Sequence, residues 1–149
     1  MLTVHAETID SQEICTELLT GKGAVKIKGL FSEAEIAQAR DVIMSESDQD
    51  DSKVTHFQGE ALEDGRANLQ RRVWNLLAKG DIFSHMASHP VVMQVLRRWL
   101  GTEFIMGSIA ANRILPGGPG QEPHVDYPYW DFHAPETHPM GLNLSLIHI

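Results

Sequence analysis

The sequence contains one cysteine and no long apolar run. With Cys15 alone among 149 residues, an internal disulfide is impossible, and a structural zinc site is disfavoured because it needs several Cys or His residues at short spacing. No apolar run approaches the length of about 20 residues that spans a membrane. The first residues, MLTVHAETID, lack the basic and apolar regions of a signal peptide. We therefore expect a cytoplasmic protein without a membrane span, in which Cys15 is a buried thiol.

Positive charge is also scarce. The chain has 12 Lys and Arg against 20 Asp and Glu, a net charge of −8, which argues against nucleic acid or an anionic membrane as a partner. It has no G-x-S-x-G motif and no phosphate-binding loop with Lys-Ser/Thr, so acyl transfer by a serine nucleophile and nucleotide hydrolysis have no support. The length and ordinary apolar content predict one globular domain over residues 1–149.

The first third of the chain alternates helical and strand patterns. Residues 10–20 predict a helix between an N-capping Asp or Ser and Gly21. The imperfect alternation in residues 23–31 predicts a half-buried strand. A capping box, S-x-x-E from Ser32, predicts a second helix to about Met44. The acidic run that follows, SESDQDDSK, is expected to be a solvated mobile loop.

The remainder predicts two helices between strands. Residues 69–77 predict a strand, Asp81 begins a short helix, and residues 91–100 form an amphipathic helix before a glycine. Residues 103–115 predict one long strand, or two with a bend at a glycine. The next residues, PGGPGQEP, are a loop by composition. In these patterns Trp74 and Trp99 are most simply core residues.

Helices followed by strands indicate an α+β protein whose sheet is only beginning when the chain stops. The final run, GLNLSLIHI, is apolar and strand-like without a partner strand after it, which would be an aggregation hazard. We therefore expect a fragment, truncated at its carboxyl end, whose last residues are not native.

A crowded polar stretch, QEPHVDYPYWDFHAPETH, contains the strongest chemical signal. His124 and Asp126 are two residues apart, so on an extended strand both side chains lie on one face. Non-haem Fe(II) oxygenases use two His and one carboxylate on one face of the ion. Pro123 and Pro128 bracket the pair and restrict the backbone. From the residues alone, a metal site and a chance pairing are both open. Four of the histidines outside this stretch have no acidic or His partner at ligand spacing: His5, His56, His85 and His89.

Several blocks in order resemble the phytanoyl-CoA dioxygenase family: G-A-V-K-I-K-G-L-F-S, R-V-W-N-L-L-A-K-G-D-I-F, H-P-V-V, G-S-I-A-A-N-R-I-L-P-G and Q-E-P-H-V-D. The resemblance extends from about residue 23 to about residue 143. It implies an Fe(II)- and 2-oxoglutarate-dependent oxygenase that consumes O2. It also implies that amino-terminal helices precede the first part of a double-stranded β-helix (jelly roll), which is incomplete here.

The resemblance implies roles for individual residues. His124 and Asp126 would be two of the three iron ligands, with no catalytic residue beyond the ligands. Trp130 matches an aromatic residue beside the cosubstrate or substrate. Four polar residues would line the cosubstrate pocket, with a purely structural role on the strands as the alternative for each: Asn112, Gln121, Asn75 and Arg72.

The family's second iron His and the Arg that pairs with 2-oxoglutarate come from strands further on, which this chain lacks. His133 and His138 follow too closely to supply the missing ligand, and His148 lies in the doubtful final run. The resemblance implies hydroxylation of an unactivated C–H bond in a small molecule, with little turnover by this chain alone. The alternative is a non-catalytic jelly-roll module that binds or supports a partner. The sequence leaves the substrate and the oligomeric state open.

Overall fold

The computed structural model describes residues 1–48, 69–118 and 141–146, and these residues divide into two compact units. The chain passes between the units several times, twice within a helix, so neither unit is one continuous stretch of chain. Each unit contains its own two-stranded sheet among the described residues. The first unit comprises residues 1–36, 85–105 and 141–146, and the second comprises residues 37–48, 69–84 and 106–118.

The sheet of the first unit is parallel. Strand β1, Leu2–His5, pairs with strand β2, Val25–Lys28, and helix α1, Ser11–Thr20, connects them. Parallel strands need such a crossover because a tight hairpin can join only antiparallel strands. The sequence predicted α1 and β2, whereas β1 was not predicted.

Helix α1 begins and ends at the predicted residues. The Asp10 carboxylate accepts a hydrogen bond from the Gln12 N–H at 2.8 Å, and the Gly21 N–H donates to the Glu17 carbonyl oxygen at 2.9 Å. The first bond provides an acceptor for a backbone N–H at the start of the helix, and the second provides a donor for a carbonyl oxygen at its end. Helix termini otherwise leave such groups without partners.

Helix α1 packs against helix α4, Pro90–Leu100, within the first unit. Ile14 and Cys15 of α1 are buried, as are Val92 and Val95 of α4. Burial raises the pKa of the Cys15 thiol, because a low-polarity surrounding disfavours the thiolate, while the Arg98 charge acts in the opposite direction. The expected buried thiol is confirmed.

Helix α2, Glu33–Asp48, begins with the predicted capping box. The Glu35 carboxylate accepts from the Ser32 N–H at 2.7 Å, and the Glu35 N–H donates to Ser32 Oγ at 3.3 Å. The helix continues to Asp48, past the predicted end near Met44. The expectation that SESD belongs to a mobile loop is therefore wrong, and the rest of that acidic run lies outside the described residues.

The sheet of the second unit is antiparallel. Strand β3, Gln70–Trp74, pairs with strand β4, Ala110–Ile114, with Arg72 opposite Asn112 and Trp74 opposite Ala110. A 3₁₀ turn, Leu76–Ala78, follows β3 and precedes helix α3, Asp81–Ala87. The buried apolar side chains of this unit are Ala39, Val73, Leu76, Ile82 and Phe83.

Two strand predictions were wrong: one strand is shorter than predicted, and the other is absent from the described residues. Of residues 103–115, only 110–114 form a strand, and the preceding residues include Ile105 with 92% of its surface exposed. Among the described residues, 102–109 have no partner strand, so the apolar content alone does not produce a ladder. Residues 141–146 are likewise not a strand, and 147–149 lie outside the described ranges.

Helices and short strands together confirm the α+β class. In the ranges that the structure describes, no helix has both the length and the apolar content to cross a membrane.

Candidate functional site

The predicted iron ligands, His124 and Asp126, lie outside the described residues. Within the described residues, no group of three or more His, Cys, Asp or Glu side chains is arranged to hold a metal ion. The structure therefore informs the pocket predictions through Arg72, Asn75 and Asn112. The other predicted or considered site residues also fall outside the described ranges: Gln121, Trp130, His133, His138 and His148.

Arg72 and Asn112 lie directly opposite each other on β3 and β4. Since alternate residues of a strand share a face, Trp74 lies on the same face as Arg72. Arg72 and Trp74 are half-buried and Asn112 is exposed, so this face is partly open to ligands. Two residues that are 40 positions apart and were predicted separately are thus brought together on one surface. We call the surface formed by Arg72, Trp74 and Asn112 the Arg72–Trp74 face.

The Arg72–Trp74 face contains two buried N–H donors. The Arg72 guanidinium carbon lies 4.0 Å from the centre of the Trp74 ring, a cation–π geometry that fixes the plane of the guanidinium. Arg72 Nε and Trp74 Nε1 are buried, and neither has a hydrogen-bond acceptor within the described chain. A buried donor without an acceptor costs about 1–3 kcal/mol, so folded proteins rarely leave one unsatisfied.

Asn75 lies just past the end of β3 instead of on it. Its φ is 53° and its ψ is 51°, a left-handed conformation that ends the strand and begins the 3₁₀ turn. Asparagine adopts this conformation more readily than most residues, because its short polar side chain tolerates it. Asn75 is exposed and does not share the regular alternation of Arg72 and Trp74. Its conformation is explained by the transition from β3 to the 3₁₀ turn.

The strand that carries Asn112 is fixed to α2 by its neighbour, Arg113. Arg113 Nη1 donates to Ser47 Oγ at 2.9 Å and to Asp48 Oδ1 at 2.5 Å. Lys79 Nζ donates to Glu46 Oε2 at 2.6 Å, with both side chains largely buried. Three consecutive residues at the end of α2 therefore hold partners in the second unit, which explains why the helix extends beyond its predicted end.

Comparison with known proteins decides the family. The family model described as phytanoyl-CoA dioxygenase matches residues 19–148. The chain belongs to the phytanoyl-CoA dioxygenase family. No match was found among curated proteins or among solved structures. The family resemblance from sequence motifs is therefore confirmed over most of the chain.

Membership in the phytanoyl-CoA dioxygenase family points to an oxygenase, and its members generally depend on Fe(II) and 2-oxoglutarate. The donor chemistry fits these groups. An imidazole and a carboxylate, at His124 and Asp126, are ligands that suit Fe(II). The N–H groups of Arg72 and Asn112 suit the carboxylates of 2-oxoglutarate or of a substrate.

Sequence reasoning missed one polar cluster of this oxygenase-family chain. His85 Nε2 lies 2.8 Å from Glu35 Oε1, and the His89 ring packs edge-on against Phe31 with centroids 5.4 Å apart. Hydrogen bonds from Ser32, first from its hydroxyl, and the contact with His85 hold the pKa of the Glu35 carboxyl below its usual range. Fifty residues separate His85 from Glu35, so no local spacing could have indicated the pair.

Proposed function

We propose that this chain is part of an Fe(II)- and 2-oxoglutarate-dependent dioxygenase that hydroxylates an unactivated C–H bond of a small molecule. The observation that carries the proposal is the family match over residues 19–148, which includes His124 and Asp126. The H-x-D pair that was open to chance from the residues alone therefore lies inside a segment of established family membership. The opposed positions of Arg72 and Asn112 support a binding surface in the same chain.

The proposal includes the fold of the whole domain. We propose that residues 1–149 belong to one oxygenase domain, with amino-terminal helices and the first strands of a jelly roll. β3 and β4 would then be two strands of that jelly roll. A jelly roll suits this chemistry because its strands place ligands on facing walls of one cavity.

Different residues would bind the metal and the organic ligands. His124 and Asp126 would hold the iron, which together with 2-oxoglutarate and O2 supplies the oxidising power for hydroxylation, with succinate and CO2 as coproducts. Gln121 and Trp130 would line the cosubstrate side of the pocket. Arg72 and Asn112 would donate hydrogen bonds to carboxylate oxygens and so orient the bound acid.

Metal binding under anaerobic conditions tests the proposal directly. We expect the chain to bind Fe(II) and, with Fe(II) present, to bind 2-oxoglutarate with the visible charge-transfer absorption of a chelated 2-oxo acid. His124→Ala and Asp126→Ala should each abolish that absorption, because each removes a ligand from the ion. Formation of succinate from 2-oxoglutarate is measured separately as a readout of turnover.

His133→Ala and His138→Ala are the matched controls. Both remove an imidazole from the same stretch as His124, yet we expect both variants to retain the absorption. Loss of the signal in these variants but not in His124→Ala would show that the iron ligands were assigned to the wrong histidines. Absorption that survives in both His124→Ala and Asp126→Ala would refute the assignment of these two residues as iron ligands.

A further inference from the structure

Helix α4 begins at a histidine whose side chain caps the helix. His89 Nδ1 accepts a hydrogen bond from the Val91 N–H at 3.3 Å. Pro90, between them, has no N–H, so Val91 carries the first backbone donor that needs a partner outside the helix. Ser, Thr, Asp and Asn are the usual capping residues, and their acceptors persist near neutral pH. An imidazole differs from them, because its charge changes between about pH 5 and 8.

The cap bond is possible in one protonation state of the ring. A neutral imidazole with its proton on Nε2 has a lone pair on Nδ1, whereas a protonated imidazole is a donor at both nitrogens and accepts nothing. Acid therefore removes the acceptor of the Val91 N–H. It also places a positive charge at the amino terminus of α4, where the helix dipole disfavours it. The cap belongs to the neutral ring alone.

Two aromatic neighbours hold the His89 ring beside the start of the helix. Phe31 contacts it edge-on with ring centroids 5.4 Å apart, and His85 does so with centroids 6.3 Å apart. His89 is half-buried in this cluster. The packing restricts the ring, which lowers the entropy cost of keeping Nδ1 directed at the Val91 N–H.

His85 responds to acid in the opposite direction. Its Nε2 lies 2.8 Å from Glu35 Oε1, so a protonated His85 gains an ion pair with that carboxylate. In the part of the chain that the structure describes, His89 has no ion pair of this kind. A positive charge on His85 also disfavours a second one on the neighbouring ring. Protonation therefore suits His85 and opposes the role of His89.

The other charged groups on α1 and α4 have partners or positions away from His89. In α1, Asp10 forms a hydrogen bond at the start of that helix and Glu17 forms one at its end, and Glu13 is exposed. The basic residues of α4 lie in its last turn, about 12 Å along the axis from His89: Arg97 and Arg98. Glu35 and His85 are therefore the charged groups closest to the cap.

We propose that His89 is a proton-sensitive cap that controls the first turn of α4. Val92, in that turn, has 3% of its surface exposed, and α4 packs against α1. Loss of the cap weakens the turn that carries Val92, so acidification loosens the packing of α4 on α1. The cap contributes stability above the titration range of an imidazole. This contribution is lost as the pH falls through that range, because the unfolded chain can bind a proton that the capped ring excludes.

The tautomer of His89 tests the proposal in the unaltered chain, without iron or cosubstrate. We would label the histidines with ¹⁵N, record the ring nitrogen signals at about pH 8 and assign His89 with His89→Asn. The neutral ring should have its proton on Nε2 and none on Nδ1. The Val91 amide signal should shift on acidification together with the His89 ring signals. A neutral His89 with its proton on Nδ1 overturns the proposal.

His89→Asn and His5→Asn form a matched pair of variants. Asparagine is a capping residue whose acceptor does not titrate, so His89→Asn should keep the cap in acid. His5 also occupies an N-cap position, before the 3₁₀ turn Ala6–Thr8, but its side chain forms no capping hydrogen bond. The unfolding equilibrium constant of each chain is measured by urea denaturation at about pH 8 and about pH 5.

The ratio of the unfolding constants of the unaltered chain and His89→Asn should rise about fivefold between these pH values, which is the effect of losing one cap. The same ratio for His5→Asn should change by less than about twofold. A ratio for His89→Asn that does not depend on pH, or an equal change in both variants, overturns the proposal. Should His89→Asn fail to fold, the tautomer in the unaltered chain still decides, with His89 assigned through its contact with the Phe31 ring.

Discussion

At the scale of single residues, Glu35 has two functions. Its carboxylate closes the capping box with Ser32 and also contacts His85 at 2.8 Å. These contacts favour the charged form, which is why the pKa of Glu35 is lowered. A carboxyl group whose pKa is lower in the folded state contributes stability above its ordinary titration range. That contribution is lost as the pH falls through the lowered folded-state pKa.

Ser32→Ala should therefore change both stability and titration. The Ser32 hydroxyl is the first cause of the lowered Glu35 pKa, so its loss should raise that pKa. The same hydroxyl caps the helix by accepting from the Glu35 N–H, and loss of such a cap costs about 1 kcal/mol of unfolding free energy. The pKa is measured from the Glu35 carboxyl chemical shift as a function of pH, and the free energy of unfolding is measured by urea denaturation.

Ser45→Ala is the control for this cap, since Ser45 is an exposed serine within the same helix, α2. It should change the free energy of unfolding by no more than about 0.5 kcal/mol. An equal loss in both variants would mean that the hydroxyl at Ser32 has no special role.

At the scale of elements, α1 is stabilised by the burial of apolar side chains on the side that packs against α4. Ile14 has 2% of its surface exposed and Leu19 on the same helix has 65%. Ile14→Ala should lower the free energy of unfolding by about 2–4 kcal/mol, whereas Leu19→Ala should change it by less than about 0.5 kcal/mol. Denaturant unfolding of the two variants tests this difference. Similar losses would show that α1 is not held by its packing against α4.

The attachment of α2 to β4 is the second feature at this scale. Arg113→Met removes the donor to Ser47 and Asp48 and should cost about 1–2 kcal/mol. Arg40→Met is matched to it, because Arg40 is exposed and its ion pair in the described part of the chain is with its exposed neighbour Asp41, at 3.6 Å. The free energy of unfolding of Arg40→Met should lie within about 0.5 kcal/mol of that of the unaltered chain. Thermal unfolding followed by circular dichroism distinguishes the two.

The same two elements show how far the sequence predicts this fold. The start of α2 was predicted because Ser32 and Glu35, which close the cap, are three residues apart. Its end was not, because the partner of Asp48 is Arg113, 65 residues away. Likewise, residues 103–115 were predicted as strand throughout, and it is pairing with β3 that distinguishes 110–114 from the rest. Features formed by residues close together in the chain could be predicted from the sequence, whereas contacts between distant segments could not.

The candidate site follows the same division at the scale of the whole molecule. His124 and Asp126 were found because both donors lie within three residues, and the family match now covers them. Arg72 and Asn112 were predicted only through the family resemblance, and their shared face depends on the register of β3 and β4. The stacking of Arg72 on the Trp74 ring could not be predicted from the sequence, because it depends on the side-chain conformations of β3.

Metal binding should also stabilise the whole molecule. A ligand that binds only the folded state raises the free energy of unfolding by RT ln(1 + [L]/Kd), or about 2.7 kcal/mol at a hundredfold excess over Kd. Mn(II) accepts the same imidazole and carboxylate donors as Fe(II) without oxidising in air, so it is the practical probe. We expect the melting temperature to rise on adding Mn(II) and to return on adding a chelator. The increase should be lost in Asp126→Ala and retained in His133→Ala. An equal increase in Asp126→Ala would place the ion elsewhere and refute the assignment of His124 and Asp126 as its ligands.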